Sequence, residues 1–285
     1  MKDIVRVAAV QMDIAWLNPD GNLSKMERLI RSISSSTPVD LIIFPELVNT
    51  GYVTVREKEF ARNLILAAEK IPGPFTNKLC KISEEAKVNI AFGFCEAHET
   101  IPASLFNSAV LINREGKVIG IHRKLHIPAE EKHYFYPGNT VSVFQTDFGN
   151  VGMSICADSR FPEFIRILAL KGAEIICGLF NVPVHTPPLC SSCLPNLDYL
   201  ASIRALENVN YFIACDRTGQ QENMKFKGKS AIAAPTGEIL STSKSNEEEV
   251  IFAELSNDLL IADRGFNPVF RDRRPELYSK VCEPF

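Results

Sequence analysis

Short apolar, β-branched runs alternate along the chain with longer segments in which apolar residues recur every three or four positions. The runs predict buried strands, and the longer segments predict helices that bury one face. This alternation is typical of an α/β protein, in which helices cover the faces of a sheet. The predicted strands span residues 4–11, 41–44, 89–95, 108–113, 118–122, 141–146, 151–155, 174–179, 211–215, 229–234, 238–240 and 250–255. The predicted helices span residues 22–35, 77–87, 162–171 and 197–207.

Two short turns, at residues 113–116 and 234–237, each end in glycine and join neighbouring strands. They predict hairpins, so antiparallel pairs are mixed into the sheet. The chain shows no internal repeat and no low-complexity linker. Its 285 residues are near the size at which one α/β domain still holds a single core. We therefore expect one domain spanning residues 1–285.

Glu46, Lys124 and Cys156 each come directly after a predicted strand. Ligands bind at strand ends in α/β sheets, so these groups can converge although they are far apart in sequence. Together they suit acyl transfer to sulfur: the thiolate attacks a carbonyl or nitrile carbon, and the carboxylate moves the proton to the leaving amine. The ammonium would hold the oxyanion, helped by a backbone N–H just after the cysteine, with no metal or cofactor. On spacing alone, three ordinary strand-end residues fit equally well.

Three segments surround these residues: Phe-Pro-Glu-Leu at residues 44–47, His-Arg-Lys-Leu-His-Ile-Pro at residues 122–128 and Gly-Met-Ser-Ile-Cys-Ala-Asp at residues 152–158. They closely resemble the motif blocks of the nitrilase, or carbon–nitrogen hydrolase, superfamily. Their order and spacing agree with the family, and residues 204–208 and 225–230 extend the likeness toward the end of the chain. The resemblance implies an α/β fold built as a four-layer α-β-β-α sandwich with mixed sheets. It also implies a thioester intermediate and assembly through helices of one outer face into a homodimer or higher homo-oligomer, which gel filtration would refute by showing a monomer.

The same resemblance implies the roles of individual residues. Glu46 is the expected base, Lys124 the oxyanion stabiliser and Cys156 the nucleophile. A second glutamate usually follows the lysine block, and Glu131 fits better than Glu130, because residues 131–138 resemble the carbamoylputrescine-type members.

Ala157-Asp158 after the cysteine resembles the amidase and carbamoylase branches, whereas nitrile-hydrolysing members usually carry tryptophan and glutamate there. The expected reaction is therefore hydrolysis of a small amide or N-carbamoyl compound with release of ammonia. Three alternatives stay open: a nitrilase, an N-acyltransferase and a non-catalytic oligomeric scaffold. Mass spectrometry of the products separates the enzymes, because a nitrile would give an acid and an acyltransferase would give a new amide.

Five further residues are candidates for substrate binding. Phe180 and Asn181 follow the predicted strand 174–179 and so face the same end of the sheet as the cysteine. Tyr52 and Tyr134 lie near the first two motif blocks, and Arg160 could bind a substrate carboxylate or form a surface ion pair instead. Asp158 has a structural alternative, which is to build the turn before the helix that starts at Pro162.

Composition narrows the classes of molecule that the protein is expected to bind. The formal net charge is −3 and 23% of the residues are charged, so no basic field attracts nucleic acid or an anionic membrane. No apolar run is long enough to span a membrane, and charged residues interrupt the first ten positions. We expect a cytoplasmic protein that acts on a small molecule.

The eight cysteines do not form a disulfide framework, since Cys95, Cys177 and Cys215 lie in or beside apolar runs and are expected in the core. Cys190 and Cys193 have the spacing of half a zinc site, but no second ligand pair follows, so no metal is expected. His126, His133 and His185 leave a Cys–His hydrolase as a further alternative.

Overall fold

The computed structural model describes residues 1–53, 56–184 and 197–284. The helices are α1 (Pro19–Ser36), α2 (Lys58–Ala67), α3 (Pro74–Ala86), α4 (Pro162–Leu170), α5 (Leu197–Asn208) and α6 (Asn257–Phe266). The strands are β1 (Ile4–Gln11), β2 (Leu41–Ile43), β3 (Asn89–Ala97), β4 (Leu105–Ile112), β5 (Val118–Arg123), β6 (Val143–Gln145), β7 (Asn150–Ile155), β8 (Ile175–Leu179), β9 (Pro183–Val184), β10 (Tyr211–Cys215), β11 (Thr218–Gln221), β12 (Met224–Lys227), β13 (Ala231–Ala233), β14 (Ile239–Thr242) and β15 (Glu249–Ser256).

Two six-stranded mixed sheets form the body of the fold. The first has the order β15-β1-β2-β3-β4-β5, with β1, β2 and β3 parallel. The second has the order β14-β13-β10-β8-β7-β6, with β10, β8 and β7 parallel. In the second sheet Ile155, Leu179 and Cys215 are in register, so the residues that follow them emerge side by side at one sheet edge.

The sheets pack face to face and helices cover their outer faces, which confirms the predicted four-layer sandwich. Residues from both sheets, such as Val7 and Met153, share one fully buried core. A second core lies between the first sheet and helices α1 and α3, and a third lies between the second sheet and helices α4 and α5. This division follows from the central strands, because β2, β4, β8 and β10 are buried along their whole length and need cover on both faces.

Proline fixes where three helices begin. Pro19, Pro74 and Pro162 each occupy the first helical position, where the missing N–H costs nothing. The start at residue 162 is confirmed, whereas the starts expected at residues 22 and 77 lie too late. Apolar spacing marks only the buried face of a helix and not its first turn.

Five elements were not predicted, namely α2, α6, β9, β11 and β12. Strands β9, β11 and β12 form a small third sheet in which β12 pairs with both others, and none of the three contains a continuous apolar run of strand length. Helix α2 does carry a signal, since its buried residues Phe60, Leu64 and Ala67 recur at helical spacing. Both predicted hairpins are confirmed as the antiparallel pairs β4–β5 and β13–β14. Across the described ranges, no helix is both long and apolar enough to cross a membrane.

Gly93 in β3 lets the segment after β2 approach the first sheet closely. Its N–H donates to the carbonyl of Pro45 at 2.9 Å, and its carbonyl accepts from the N–H of Val48 at 3.0 Å. A Cβ at this position would lie 2.4 Å from Cα of Glu46 and 2.6 Å from the backbone nitrogen of Leu47. The absence of a side chain here therefore sets the position of Glu46.

We expect Gly93→Ala to lower the free energy of unfolding by about 2 kcal/mol, because the clashing atoms are backbone atoms that cannot rotate away. The matched control is Gly265→Ala in α6, where a new Cβ meets no described atom within 4 Å. That change should raise the free energy of unfolding by about 0.5 kcal/mol, since alanine suits a helix better than glycine. Urea unfolding of both variants measures the difference, and equal midpoints would contradict the close approach.

Candidate active site

Cys156 follows β7 directly and is the first residue of a short 3-10 helix, Cys156–Arg160. The backbone makes a strained turn at this residue. Its φ is +42°, a left-handed conformation that is costly for a residue with a side chain. Its side chain is half-buried, whereas the strand before it is buried almost throughout. The first backbone N–H groups of any helix have no partner inside the helix, so this turn offers free donors beside the sulfur.

The side chains of Glu46, Lys124 and Glu131 meet in one buried cluster. Nζ of Lys124 donates to Oε1 of Glu46 at 2.7 Å and to the two carboxylate oxygens of Glu131 at 3.0 and 2.9 Å. All three residues are at most 1% exposed. Glu130, the other glutamate considered, is exposed and pairs with His133 at 3.4 Å. The structure therefore brings Glu131, and not Glu130, against the lysine.

Local structure sets the position of each member of the cluster. Lys124 lies one residue beyond β5, where its N–H donates to the carbonyl of Asn107 and its carbonyl accepts from Gly138, both at 2.8 Å. Glu131 lies in a 3-10 helix, Ala129–His133, that starts after Pro128. The backbone thus holds the lysine on both sides before its side chain makes any bond.

Asn107 joins this cluster although it was not a candidate. Its Nδ2 donates to Oε1 of Glu46 at 2.7 Å and to Oε2 of Glu131 at 3.1 Å, and the residue is fully buried. A signal existed in the sequence, because Asn107 shares the inner face of β4 with Ala109 and Leu111. The predicted strand started at residue 108, one position after Asn107, whereas β4 starts at Leu105. The prediction therefore did not place this polar residue on a core face.

Burial shifts the pKa values of the cluster. Burial raises the pKa of Glu46 to about 7, against the opposing charge of Lys124. For Lys124 burial acts in the lowering direction, but Glu131 and Glu46 together outweigh it and hold its pKa well above the ordinary value. Burial, followed by the charge of Glu46, raises the pKa of Cys156 well above its usual range. Near neutral pH the thiol therefore keeps its proton and the lysine is charged, while the raised pKa of Glu46 suits a group that both accepts and returns a proton.

Three buried oxygens at this end of the sheets have no hydrogen-bond partner among the described residues. They are Oε2 of Glu46, Oδ1 of Asn107 and Oδ1 of Asn181. All three are acceptors, and both amides contact Glu46, since Nδ2 of Asn107 donates to its Oε1 at 2.7 Å and Nδ2 of Asn181 donates to its carbonyl at 3.4 Å. Buried acceptors normally have donors, so these oxygens are available to an N–H or S–H group that enters the site.

The other substrate-binding candidates differ in their surroundings. Tyr52 exchanges two hydrogen bonds with Gln221 through its backbone, and burial followed by the charges of Glu131 and Cys156 raises the pKa of its hydroxyl. That dependence places the hydroxyl within electrostatic range of the cluster. Tyr134 packs edge-on against Phe60, with ring centroids 5.3 Å apart.

Phe180 and Arg160 lie at opposite extremes of exposure. Phe180 is fully buried in the third core, and its carbonyl accepts from the N–H of Glu46 at 3.3 Å. Arg160 is exposed, and its carbonyl accepts from Nη2 of Arg204 at 3.2 Å. Substrate contact by either side chain stays a prediction.

Asp158 stabilises the turn that carries Cys156, which is the structural role considered for it in the sequence analysis. It is fully buried and accepts from the backbone N–H groups of Leu125, His126 and Ile155 at 3.1, 2.9 and 3.3 Å. Ring nitrogens of His122 and His126 lie 3.0 and 2.8 Å from its oxygens. Burial acts to raise the pKa of Asp158, but the two histidines hold it below its ordinary value. The carboxylate thus ties the turn after β7 to the segment after Lys124.

Among the described residues, no other cysteine or histidine makes a hydrogen bond to Glu46, Lys124 or Glu131. Cys95, Cys177 and Cys215 are fully buried, which confirms them as core residues. The ring of His126 stacks on Phe161, with centroids 3.7 Å apart. His185, Cys190 and Cys193 lie outside the described residues. Within the part of the chain that the structure describes, no group of three or more His, Cys, Asp or Glu side chains is placed to hold a metal ion.

Comparison with known proteins gives one consistent family. The sequence profile of the carbon-nitrogen hydrolases matches residues 6–264. A nitrilase of Pyrococcus abyssi is 40% identical over 282 residues, which cover 97% of this chain and 100% of that protein. An N-carbamoylputrescine amidase of Solanum lycopersicum is 31% identical over 293 residues, covering 97% and 94% of the two chains. Among solved structures, a carbon-nitrogen hydrolase of Helicobacter pylori G27 has the same fold, with a TM-score of 0.90, 23% identity and 99% of each chain covered.

We expect Asp158→Ala to lower the free energy of unfolding by about 3 kcal/mol, because it leaves buried N–H groups and two histidines without their acceptor. Asp158→Asn keeps the shape and should cost less. The matched control is Asp272→Ala, since Asp272 is exposed and forms a surface ion pair with its neighbour Arg271. Chemical denaturation measures all three, and an Asp158→Ala protein as stable as the control would contradict the role of the buried carboxylate.

Proposed function

Because the chain belongs to the carbon-nitrogen hydrolase family, we propose that it hydrolyses the C–N bond of a small amide or N-carbamoyl compound through a thioester on Cys156. The reaction releases ammonia. The observation that carries this proposal is the buried ammonium of Lys124, held between two carboxylates, with Cys156 at the end of a strand of the facing sheet. A charged cluster in a dry site costs several kcal/mol per ion, and catalysis is a reason to retain it.

In the first step Glu46 acts as the base. The thiol of Cys156 holds its proton near neutral pH, so attack needs an acceptor for that proton. Oε1 of Glu46 already accepts from Lys124 and Asn107, whereas Oε2 has no partner among the described residues. Oε2 takes the proton, and the thiolate forms a bond to the carbonyl carbon of the substrate.

Lys124 stabilises the oxyanion that this attack creates. An ammonium group has three N–H donors. One donor serves Glu46 and one is shared by the two oxygens of Glu131, which leaves one for the oxyanion. A backbone N–H at the start of the 3-10 helix after Cys156 supplies a second donor.

Collapse of the tetrahedral intermediate breaks the C–N bond. The proton held by Glu46 passes to the leaving nitrogen, and the acyl or carbamoyl group stays on the sulfur. Water then attacks the thioester, with Glu46 again accepting a proton, and the thiol is restored. An amide gives a carboxylate and ammonia, and an N-carbamoyl amine gives the amine, carbon dioxide and ammonia.

The substrate contacts are part of the same proposal. The unpartnered Oδ1 of Asn181 supports a contact to a substrate N–H, and the charges felt by the Tyr52 hydroxyl support its place beside the reacting atoms. Tyr134, Phe180 and Arg160 complete the proposed lining.

Nitrile hydrolysis is the second candidate, and the relative from Pyrococcus abyssi, which is named a nitrilase, favours it. The same cysteine could attack a nitrile carbon, and two waters would yield acid and ammonia. The alanine and aspartate at positions 157 and 158 favour the amide reaction instead, since they depart from the tryptophan and glutamate usual in nitrile-hydrolysing members. A substrate panel that includes both classes decides between them.

We expect the wild-type protein to release ammonia from at least one member of a panel of ω-amides, carbamoyl amines, carbamoyl amino acids and nitriles. Cys156→Ala should lower that rate by more than about a thousandfold, because no thioester can form. The matched control is Cys80→Ala, since Cys80 is also half-buried but lies in α3, away from the cluster. It should keep the wild-type rate.

Absence of ammonia release by the wild type across the panel would contradict the proposal. A new amide formed from an added amine, seen by mass spectrometry, would establish acyl transfer in place of hydrolysis. If neither ammonia nor a new amide is detected, the non-catalytic scaffold is the alternative that remains.

We expect kcat/KM of the wild type to fall below about pH 7, by about tenfold per pH unit. The base must be ionised to accept the thiol proton, and the pKa of Glu46 is raised to about 7, so its protonated form accumulates as the pH drops through that value. Glu46→Gln should remove activity over the whole range, whereas Glu130→Gln should leave the profile unchanged because Glu130 is exposed. An acid limb near pH 4.5 would contradict the raised pKa of the base.

A further inference from the structure

The side-chain amide of Asn107 forms a bridge between the two carboxylates of the site. We propose that Asn107 is a positioning residue of the reaction, which donates one N–H to each carboxylate and thereby leaves Oε2 of Glu46 as the oxygen that receives the thiol proton. This inference rests on the proposed function, because it concerns the base of that reaction. It adds a fifth member to the expected set of Glu46, Lys124, Glu131 and Cys156.

The geometry of the bridge is specific to an asparagine amide. Nδ2 lies 2.7 Å from Oε1 of Glu46 and 3.1 Å from Oε2 of Glu131, so both hydrogens of the amide nitrogen are used. The backbone carbonyl of Asn107 accepts from the N–H of Lys124 at 2.8 Å. One residue thus contacts all three charged members of the cluster, and its strand, β4, is paired on both sides, with β3 and β5.

Electrostatics explain why a neutral donor is needed. Two carboxylates in one buried site repel each other and tend to share a proton, and a single ammonium neutralises only one of them. The amide stabilises the second negative charge without adding a positive one. A second cation would fully neutralise the pair and depress the pKa of Glu46, whereas an apolar side chain would raise it further.

The bridge explains why the two carboxylate oxygens of Glu46 differ in their hydrogen bonds. Lys124 and Asn107 both donate to Oε1, which fixes the plane of the carboxylate, and Oε2 remains without a partner among the described residues. Without the amide, the carboxylate could rotate and present either oxygen to the lysine. The bridge therefore sets both the ionisation of the base and the direction in which it accepts.

Several titratable groups also interact with Glu46, in addition to this neutral amide. Lys124 lies after β5, Glu131 in its 3-10 helix and Cys156 after β7, while Asp216 follows β10 and interacts with Glu46 electrostatically. The hydroxyl of Tyr52 also feels the charge of Glu46. The Asn107 variants keep all of these groups, so a change in the ionisation of Glu46 reports the loss of the amide and of its bonds to the two carboxylates.

The test uses the rate at which iodoacetamide alkylates Cys156, measured by peptide mass spectrometry between pH 5 and 10, on the range where the base titrates. This readout needs no knowledge of the substrate. In Asn107→Leu we expect the midpoint of the pH profile to move up by about one unit and the rate at pH 7 to fall by about fivefold, because the base loses a charge-assisted hydrogen bond. Asn107→Asp keeps the shape but adds a third carboxylate, so its midpoint should move at least as far.

The matched control is Asn89→Leu. Asn89 is also fully buried, and its Nδ2 donates to the carbonyl of Asp40 at 2.8 Å and to Oδ1 of Asp147 at 3.0 Å, so it loses two comparable bonds away from the site. Its alkylation profile should match the wild type. If a folded Asn107→Leu or Asn107→Asp protein shows the wild-type midpoint and only a lower melting temperature, Asn107 is merely structural and the inference is overturned.

Ammonia release separates this inference from the function on which it rests. A wild type that releases ammonia, with an unshifted midpoint in the Asn107 variants, overturns the positioning role alone. A wild type that releases none, with a shifted midpoint in the variants, overturns the proposed hydrolysis and supports the control of Glu46 by Asn107.

Discussion

The contact between the Lys124 ammonium and the Glu46 and Glu131 carboxylates is the constraint on which the rest of the site depends. Removing one member of such a buried cluster leaves an uncompensated charge, which costs more than the pair contributes. The fold meets this constraint by satisfying the lysine backbone on both sides and by placing a neutral amide, Asn107, where the second carboxylate needs a donor. The same few hydrogen bonds and ion pairs therefore serve both the proposed catalysis and the stability of the fold.

The two sheets contribute different parts of the site, and Asp158 joins them. Glu46 and Lys124 follow strands of the first sheet, whereas Cys156 follows a strand of the second. Because Asp158 accepts from the segment just after Lys124 and also from Ile155, it sets the strained cysteine turn relative to the lysine. A left-handed cysteine persists only where its surroundings hold it, and this carboxylate supplies much of that support.

Much of the fold could be predicted, because its strands and helices have strong local signals. Apolar runs identified most strands, and the ends of those strands identified Glu46, Lys124 and Cys156 once the motif order was considered. Polar elements such as β11 and β12 were missed, since they pair at the edge of the fold and bury no continuous face. The approach of Gly93 to Glu46 was equally hidden, because it joins segments that are adjacent only after the sheet forms.

The sequence by itself determined the order of the elements, the sandwich implied by its motifs and three charged or nucleophilic side chains at strand ends. Only the tertiary structure decided that Glu131 rather than Glu130 meets the lysine, that Asn107 bridges the carboxylates and that one oxygen of Glu46 stays without a partner among the described residues. The reason is physical. Periodicity is a local property of the chain, whereas burial, hydrogen-bond partners and the pKa shifts they cause depend on which distant residues packing brings together.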